Sequence, residues 1–320
     1  MVLRKIFILS SLVMVILTSC IPLAGFLSGQ QLTPTPAEPT PPLDRVPAFS
    51  HIVILIFENK ESDQVIGNQE MPNFNRLAGE YTLLTQHYAI QHPSLPNYIA
   101  LIGGDTFGIK KDNPGITIDA PNITDLIEQS GLTWKTYQES MPGPCYLKDV
   151  YPYAQKHNPF IFFNSIRDNA QRCSNHVVPI EDLDTDLKQG TLPNFAFITP
   201  NICDDAHDSS TNPTKCSLRV TDSWLKGWVD RLLADSQISK DGLIILTWDE
   251  GDSDHSCCGL STGGGRIATV LISPLVKSGF RDDTPYTHYS ILRLISESWR
   301  LPIIGHASDP GTNPIRAPWK

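Results

Sequence analysis

Continuous apolar runs mark the most regular parts of the chain. Residues 51–57, 242–248 and 267–272 are rich in β-branched side chains and contain almost no interior polar position. Such runs are typical of strands that are buried on both faces of a sheet. Shorter apolar segments at 132–137 and 194–199 predict two further strands.

Helical signals lie between these strands. A proline begins the first candidate helix, Asn122 is placed to cap another, and Gly131 is placed to close it. The predicted helices are residues 72–81, 98–103, 123–130, 223–233 and 288–299. Strands that alternate with helices predict an α/β layered fold with a mostly parallel sheet, and one catalytic domain over residues 48–320 accounts for it.

The N-terminus has a different pattern. Arg4 and Lys5 precede an apolar run at 6–17 that is too short to span a bilayer, which predicts a signal peptide over residues 1–19. The run ends in Leu-Thr-Ser-Cys, which resembles a bacterial lipobox and implies lipidation of Cys20. An ordinary secretory peptide is the alternative.

Residues 20–47 contain repeated Thr-Pro and Pro-Pro pairs and little that could be buried. This composition predicts a semi-rigid tether after the lipidated cysteine. The protein is therefore expected to be exported, either as a cell-envelope lipoprotein on the outer side of the cytoplasmic membrane or in secreted form. Its N-terminal lipid anchor would then make the membrane a partner.

Charge and cysteine content refine this interpretation. The formal net charge of −9 and the lack of any basic run argue against a nucleic-acid partner. Six cysteines follow Cys20, an even set that predicts disulfides in an oxidising compartment. Short loops favour Cys145–Cys173 and Cys203–Cys216, which leaves Cys257 and Cys258 as a vicinal pair or as partners for other cysteines.

Polar residues that can bind metals follow three of the predicted strands. The clusters are Glu58-Asn59, Asp204 to Asp208, and Asp249-Glu250. Ligands in open α/β sheets bind beyond the carboxyl ends of the strands, so the three clusters are expected to converge. Carboxylate, amide and imidazole groups suit a divalent cation such as Mg²⁺, Ca²⁺, Mn²⁺ or Zn²⁺.

A candidate nucleophile lies in His92-Pro93-Ser94-Leu95-Pro96-Asn97-Tyr98. The prolines restrict the backbone around Ser94, at the start of an apolar helix whose N-terminus favours an anion. A bound cation would activate the hydroxyl for attack on phosphorus. Asn97, His92 and His207 are expected to donate to phosphate oxygens, and His92 or His207 could protonate the leaving alcohol.

These motifs resemble the bacterial phosphoesterase family, which contains acid phosphatases, phosphatidylinositol 3-phosphate phosphatases and phospholipases C. The matching segments are Glu58 to Ser62, His92 to Tyr98, Pro200-Asn201 with His207-Asp208, Trp248 to Gly251, Gly263 to Arg266, Ser273 to Gly279 and His288 to Arg293. The similarity covers roughly residues 50–301. It implies a three-layer fold like that of alkaline phosphatase, with a mostly parallel central sheet.

The resemblance also implies roles for individual residues. Ser94 would be the nucleophile, and His92, Asn97 and His207 would surround the phosphate. Glu58, Asn59, Asp249 and Glu250 would be the metal ligands, and Asp208 of the middle cluster is a further candidate ligand. Ala206 departs from the glycine expected at its position, so the surrounding loop is expected to differ.

The expected activity is metal-dependent hydrolysis of phosphate monoesters through a phosphoserine, on a phosphorylated small molecule or a phospholipid headgroup. One alternative is a phospholipase C-type phosphodiesterase, although the chain is compact like the phosphatases. A second alternative is a lipid-anchored protein that binds phosphate without turnover. A third is a serine esterase built on Gly259-Leu-Ser261-Thr-Gly263, although this motif lacks the preceding strand and following helix of a nucleophile elbow.

Overall fold

The computed structural model describes residues 45–209, 215–258 and 262–320. The predicted signal peptide and nearly all of the predicted tether lie outside these residues. The described residues belong to one compact unit. None of their helices combines the length and the apolar character that a membrane span requires.

One mixed sheet forms the centre of the described part of the chain. Its nine strands are β1 (Ile52–Phe57), β2 (Thr82–Tyr88), β3 (Trp134–Gln138), β4 (Val177–Pro179), β5 (Phe195–Thr199), β6 (Leu243–Trp248), β7 (Arg266–Ile272), β8 (Arg281–Asp282) and β9 (Tyr286–Thr287). Their order is β4-β3-β5-β1-β6-β7-β2-β8, and β9 also pairs with β2. The run from β4 to β6 is parallel, whereas β7 is antiparallel to both of its neighbours.

Helices cover both faces of this sheet. They are α1 (Ser62–Val65), α2 (Pro72–Glu80), α3 (Ser94–Gly103), α4 (Ile123–Gln129), α5 (Asn164–Arg167), α6 (Ala170–His176), α7 (Glu181–Gln189), α8 (Leu218–Ala234), α9 (Ser236–Asp241) and α10 (His288–Trp299). Short 3₁₀ turns lie at Gln155–His157, Pro159–Phe162, His207–Ser209 and Gly305–Ser308.

The central strand β1 explains the three layers. Ile52, Ile54 and Ile56 pack with side chains of α3, α4 and α10 on one face. Val53, Leu55 and Phe57 pack with side chains of α2, α8 and α9 on the other. Side chains alternate between faces with a period of two, so β1, which is buried on both faces, is apolar at every position. The predicted α/β fold with a mostly parallel sheet is confirmed.

Local signals place several helices correctly. Pro72 opens α2 as predicted. Asn122 caps α4 by accepting a hydrogen bond from the Thr124 amide, and Gly131 follows with a positive φ of 79°. The helix α3 begins at Ser94 itself, four residues before the apolar segment that predicted it.

The cysteine predictions are confirmed for four residues and wrong for two. Cys145–Cys173 and Cys203–Cys216 are disulfides, whereas Cys257 and Cys258 are both free thiols. Adjacent Cα atoms lie only about 3.8 Å apart across a trans peptide, and an unstrained disulfide usually spans about 4.4–6.8 Å. Neighbouring cysteines therefore bridge only with distortion, and the other four residues already have partners.

The irregular region at 141–178 lies at one edge of the sheet. It contributes short helices and the edge strand β4, which pairs with β3. The disulfide Cys145–Cys173 ties its beginning to its end. This region carries the 3₁₀ turn Gln155–His157, which reaches the site described next.

Candidate active site

The carboxyl ends of three neighbouring parallel strands form the floor of the site. Glu58 directly follows β1, Asp249 and Glu250 follow β6, and the segment 204–208 follows β5. The Glu58 amide donates to the Asp205 carbonyl at 2.8 Å, and the Asn59 amide donates to Asp249 Oδ1 at 3.1 Å. The structure therefore brings the three polar clusters together at the edge that the sequence predicted.

Ser94 occupies the first position of α3 and faces this floor. Its Oγ donates to Glu58 Oε2 at 3.0 Å and lies 3.2 Å from Glu250 Oε1. The residue is 1% exposed, which keeps the hydroxyl away from bulk water. A serine hydroxyl held between two buried carboxylates is in position for nucleophilic chemistry once a cation offsets their charge.

The amide of Asn97 holds the loop before Ser94. Its Oδ1 accepts from the amides of Ile90 and Gln91 at 2.9 and 3.2 Å, and its Nδ2 donates to the Gln91 carbonyl at 2.6 Å. Its Nδ2 also lies 3.5 Å from Glu250 Oε2. Asn97 is thus adjacent to the site, and its expected contact with phosphate stays a prediction.

His92 packs against the β6 end of the site. Its Nδ1 lies 2.7 Å from Glu250 Oε2, and its Nε2 lies 3.0 Å from the carbonyl oxygen of Asp254. The hydrogen bond with Glu250 raises the pKa of His92 despite partial burial. His92 therefore orients Glu250 and is positioned to carry a proton.

His157 is a site residue that the sequence analysis missed. Its Nε2 lies 3.1 Å from Glu58 Oε1, and its Nδ1 lies 3.1 Å from Asp205 Oδ2. Its ring stacks on Tyr98, whose hydroxyl donates to Glu58 Oε1 at 2.6 Å. It lies in an irregular segment that follows no strand, so the strand-end rule could not identify it. The one available signal was the sequence Lys-His-Asn-Pro in an otherwise poorly patterned region.

His207 and Asp208 lie at the open side of the site. His207 Nδ1 is 3.1 Å from Asp208 Oδ1, and its Nε2 is 3.4 Å from Lys156 Nζ. The His207 side chain is 29% exposed, in contrast to the buried His157. Asp208 contacts His207 through this carboxylate oxygen, and its expected role as a metal ligand stays a prediction.

Burial has the largest effect on the pKa values of the acidic groups of the site. It raises the pKa of Glu58, Asp205, Asp249 and Glu250, and nearby charged groups modify the effect in each case. Repulsion from Glu58 further raises the pKa of Asp205 and Asp249. Four buried carboxylates in one place are unfavourable unless positive charge compensates them.

The donor set fits a divalent cation. Asp205 Oδ2 and Asp249 Oδ2 are buried, and neither has a well-aligned hydrogen-bond partner among the described residues. The same holds for both ring nitrogens of His157. Ligand atoms of Glu58, His157 and His207 lie within 4.8 Å of one another. Such oxygen and imidazole groups are those that bind Mg²⁺, Mn²⁺, Ca²⁺ or Zn²⁺.

Two further histidines lie next to residues of the site. His288 is buried, and its Nε2 lies 2.6 Å from the backbone oxygen of Asp249. The ring of His255 lies 4.6 Å from that of His92. Residues 259–261 of the Gly-x-Ser-x-Gly motif lie outside the described residues.

Comparison with known proteins agrees with this geometry. The model of the family described as "Phosphoesterase family" matches residues 67–302. A phosphate-repressible acid phosphatase of Penicillium chrysogenum is 35% identical over 305 residues, covering 89% of this chain and 69% of that protein. An acid phosphatase of Aspergillus fumigatus is 32% identical, covering 87% of this chain and 62% of that protein.

A bacterial relative and a solved structure extend the comparison. A phosphatidylinositol-3-phosphatase of Mycobacterium tuberculosis is 29% identical and covers 82% of this chain and 81% of that protein. The crystal structure of an alkaline phosphatase superfamily protein from Vibrio parahaemolyticus matches with a TM-score of 0.54 and 16% identity, covering 83% of this chain and 72% of that chain. At this identity the structural match supports the fold, which agrees with the three-layer architecture.

Proposed function

The chain belongs to the phosphoesterase family and is a hydrolase of phosphoric esters, and we propose that it hydrolyses phosphate monoesters through a phosphoserine on Ser94 with a divalent metal. One observation carries the proposal. The Ser94 hydroxyl lies at the first turn of α3 within 3.2 Å of both Glu58 and Glu250, which follow two adjacent parallel strands.

Glu58, Asn59, Asp249 and Glu250 would hold the cation, next to Ser94. The convergence of these residues, the burial of Glu58, Asp249 and Glu250, and the unpaired Asp249 Oδ2 support this ligand set. His157 would support Glu58 from behind. When bound, the cation supplies positive charge that favours ionisation of the serine hydroxyl and offsets the charge on the phosphoryl group. The set admits Mg²⁺, Ca²⁺, Mn²⁺ or Zn²⁺.

The proposed reaction has two steps, formation and hydrolysis of the phosphoserine, and residues of this chain would transfer the protons in both. The bond between Ser94 Oγ and phosphorus forms as the bond from phosphorus to the ester oxygen breaks, and the serine proton leaves along its hydrogen bond to Glu58. His207 gives a proton to the leaving alcohol. Water then attacks phosphorus and gives a proton to His207 as the bond from phosphorus to Ser94 Oγ breaks. Ser94 regains its proton along the hydrogen bond to Glu58, and inorganic phosphate leaves.

The surroundings of His207 support its role as the proton carrier. It is half-buried and open to the substrate side, and Asp208 can orient its ring through Nδ1. His157, in contrast, is buried between two carboxylates, and burial lowers its pKa well below the usual value. A buried neutral imidazole fits a supporting or ligating role better than proton exchange with substrate.

A phospholipid headgroup phosphate is the more specific substrate candidate. The relative named phosphatidylinositol-3-phosphatase supports it, because a phosphate on a headgroup hydroxyl is a monoester. The N-terminal segment with Cys20 would place the enzyme at a membrane surface. The phospholipase C-type activity and the binding protein without turnover are the alternatives, and neither has a specific observation in its favour.

Hydrolysis of p-nitrophenyl phosphate by the full chain tests the proposed function. We expect activity that a chelator removes and a divalent metal restores, and that falls roughly 10³-fold or more in Ser94→Ala. Ser261→Ala is the matched control and should retain activity. Activity that survives both the chelator and Ser94→Ala contradicts the proposal, and loss in Ser261→Ala would indicate the serine esterase. The absence of phosphate release from any monoester would indicate a binding protein.

A further inference from the structure

A lysine lies at the edge of the site next to His207, and the proposed chemistry does not use it. Lys156 belongs to the 3₁₀ turn Gln155–His157, and its side chain is 26% exposed. Its Nζ lies 3.0 Å from Asp112 Oδ2 and 3.4 Å from His207 Nε2. The ammonium is therefore held in place, but it remains reachable from solvent.

Asp112 connects this lysine to the nucleophile. Its Oδ2 pairs with Lys156, while its Oδ1 accepts from the Leu95 amide at 3.0 Å. Leu95 is the residue after Ser94, in the first turn of α3. One carboxylate thus fixes both the ammonium and the helix turn that carries the nucleophile.

Lys156 is also connected to Ser94 by a second route, through Glu58 and His207. Ser94 Oγ contacts Glu58, and the Glu58 carboxylate lies within 4.8 Å of a ligand atom of His207. His207 in turn contacts Lys156. These contacts, together with those of Asp112, form a ring that starts and ends at the first turn of α3. A phosphoryl group attacked by Ser94 would have to lie next to this ring.

We propose that Lys156 contacts the substrate phosphate and that Asp112 is its positioning residue. This inference rests on the proposed function and adds a phosphate-binding residue to it. Lys156 is a compact charge with three N–H donors, of which Asp112 engages one and the neutral form of His207 engages a second. The third donor is available to a phosphate oxygen, whose negative charge the ammonium would stabilise as the transition state forms.

The electrostatic surroundings keep this ammonium charged. Burial alone lowers the pKa of Lys156, but the carboxylates Glu58, Asp112 and Asp249 outweigh it and raise the pKa above its usual value. A competing account follows from the same charges, in which Lys156 only offsets the buried carboxylates and has no contact with substrate. The two accounts differ in whether phosphate binding depends on the lysine.

Binding of inorganic phosphate to the metal-loaded full chain, measured by calorimetry, separates the two accounts. In Lys156→Met the Kd for phosphate should rise roughly 10- to 100-fold, the range expected for loss of one charge-assisted hydrogen bond. Lys156→Arg should recover part of the affinity because it retains the charge. Lys148→Met, at an exposed lysine of the same region, is the matched control and should bind as the unaltered protein does.

Unchanged phosphate affinity in Lys156→Met overturns the inference, even if stability or metal content changes. Lys156→Gln, a second neutral variant, serves if the methionine variant does not fold. The measured quantity, the Kd for phosphate, does not depend on turnover. An unaltered protein that binds phosphate through Lys156 but hydrolyses no ester would remove the proposed function alone, whereas one that binds no phosphate would overturn the inference.

Discussion

Ser94 is positioned by local sequence and by distant partners in different ways. Pro93 precedes it and Pro96 follows it, and prolines favour the first turn of a helix, where their missing N–H groups cost nothing. The helix α3 indeed begins at Ser94. Its carboxylate partners come from two strands that are remote in sequence, and sheet topology alone brings them within hydrogen-bond distance.

The histidines were only partly predictable for a similar reason. His92 lies in the Ser94 motif and His207 lies in the Asp204–Asp208 cluster, so these motifs predicted both residues. His157 stands in a segment with no apolar periodicity, and its importance depends on a three-dimensional contact with Glu58. Sequence spacing carries no information about such a contact.

Replacement of His207 distinguishes proton transfer from metal binding. In His207→Asn we expect kcat on an ester with a poor leaving alcohol, such as glycerol phosphate, to fall roughly 10²-fold or more. The loss on p-nitrophenyl phosphate should be much smaller, because that leaving group needs little protonation. Metal affinity, measured by titration of the metal-free protein, should stay nearly unchanged.

The matched variant is His157→Asn, which should weaken metal binding roughly 10- to 100-fold because it removes a group that supports Glu58. If His207→Asn instead loses metal to the same extent, His207 is a ligand together with Glu58 and His157. The proton carrier would then have to be a different residue.

At the level of elements, the strands were more predictable than the region that covers them. The buried strand β1 is apolar throughout and β6 and β7 are predominantly apolar, so their positions follow from hydrophobicity. The region at 141–178 has no such pattern, because short turns, aromatic packing and a disulfide hold it together. Two of the site residues that the sequence analysis did not identify, Lys156 and His157, lie there.

The disulfide Cys145–Cys173 is expected to stabilise this region and the site with it. Cysteine-to-serine replacement at both positions should lower the free energy of unfolding by about 3–4 kcal/mol, since the bridge closes a loop with a sequence separation of 28 residues. The value of kcat/KM should fall as well, because the loop carries Lys156 and His157. Urea unfolding and p-nitrophenyl phosphate kinetics measure the two effects.

Serine at both Cys257 and Cys258 is the matched control, because these thiols are free in the structure. That variant should unfold with a free energy within about 0.5 kcal/mol of the unaltered protein. Equal stability of the Cys145/Cys173 variant and this control would show that the disulfide does not hold the region.

At the scale of the whole molecule, one architectural rule places the site. Adjacent parallel strands end at one edge of a sheet, so the residues after β5, β1 and β6 meet there however far apart they lie in sequence. The described domain is thereby explained as a scaffold that collects buried carboxylates around one serine. The signal peptide at 1–19 and the tether at 20–47 stay predictions.

In the proposed mechanism, Ser94 itself becomes phosphorylated during turnover. The most direct measurement is rapid acid quenching of the metal-loaded full chain with a phosphate monoester, followed by mass spectrometry of the peptide that contains residue 94. We expect an added phosphoryl group on Ser94, which should be absent in Ser94→Ala and should decay on the timescale of product release. Active enzyme that hydrolyses the ester but never carries phosphate on this peptide would contradict it.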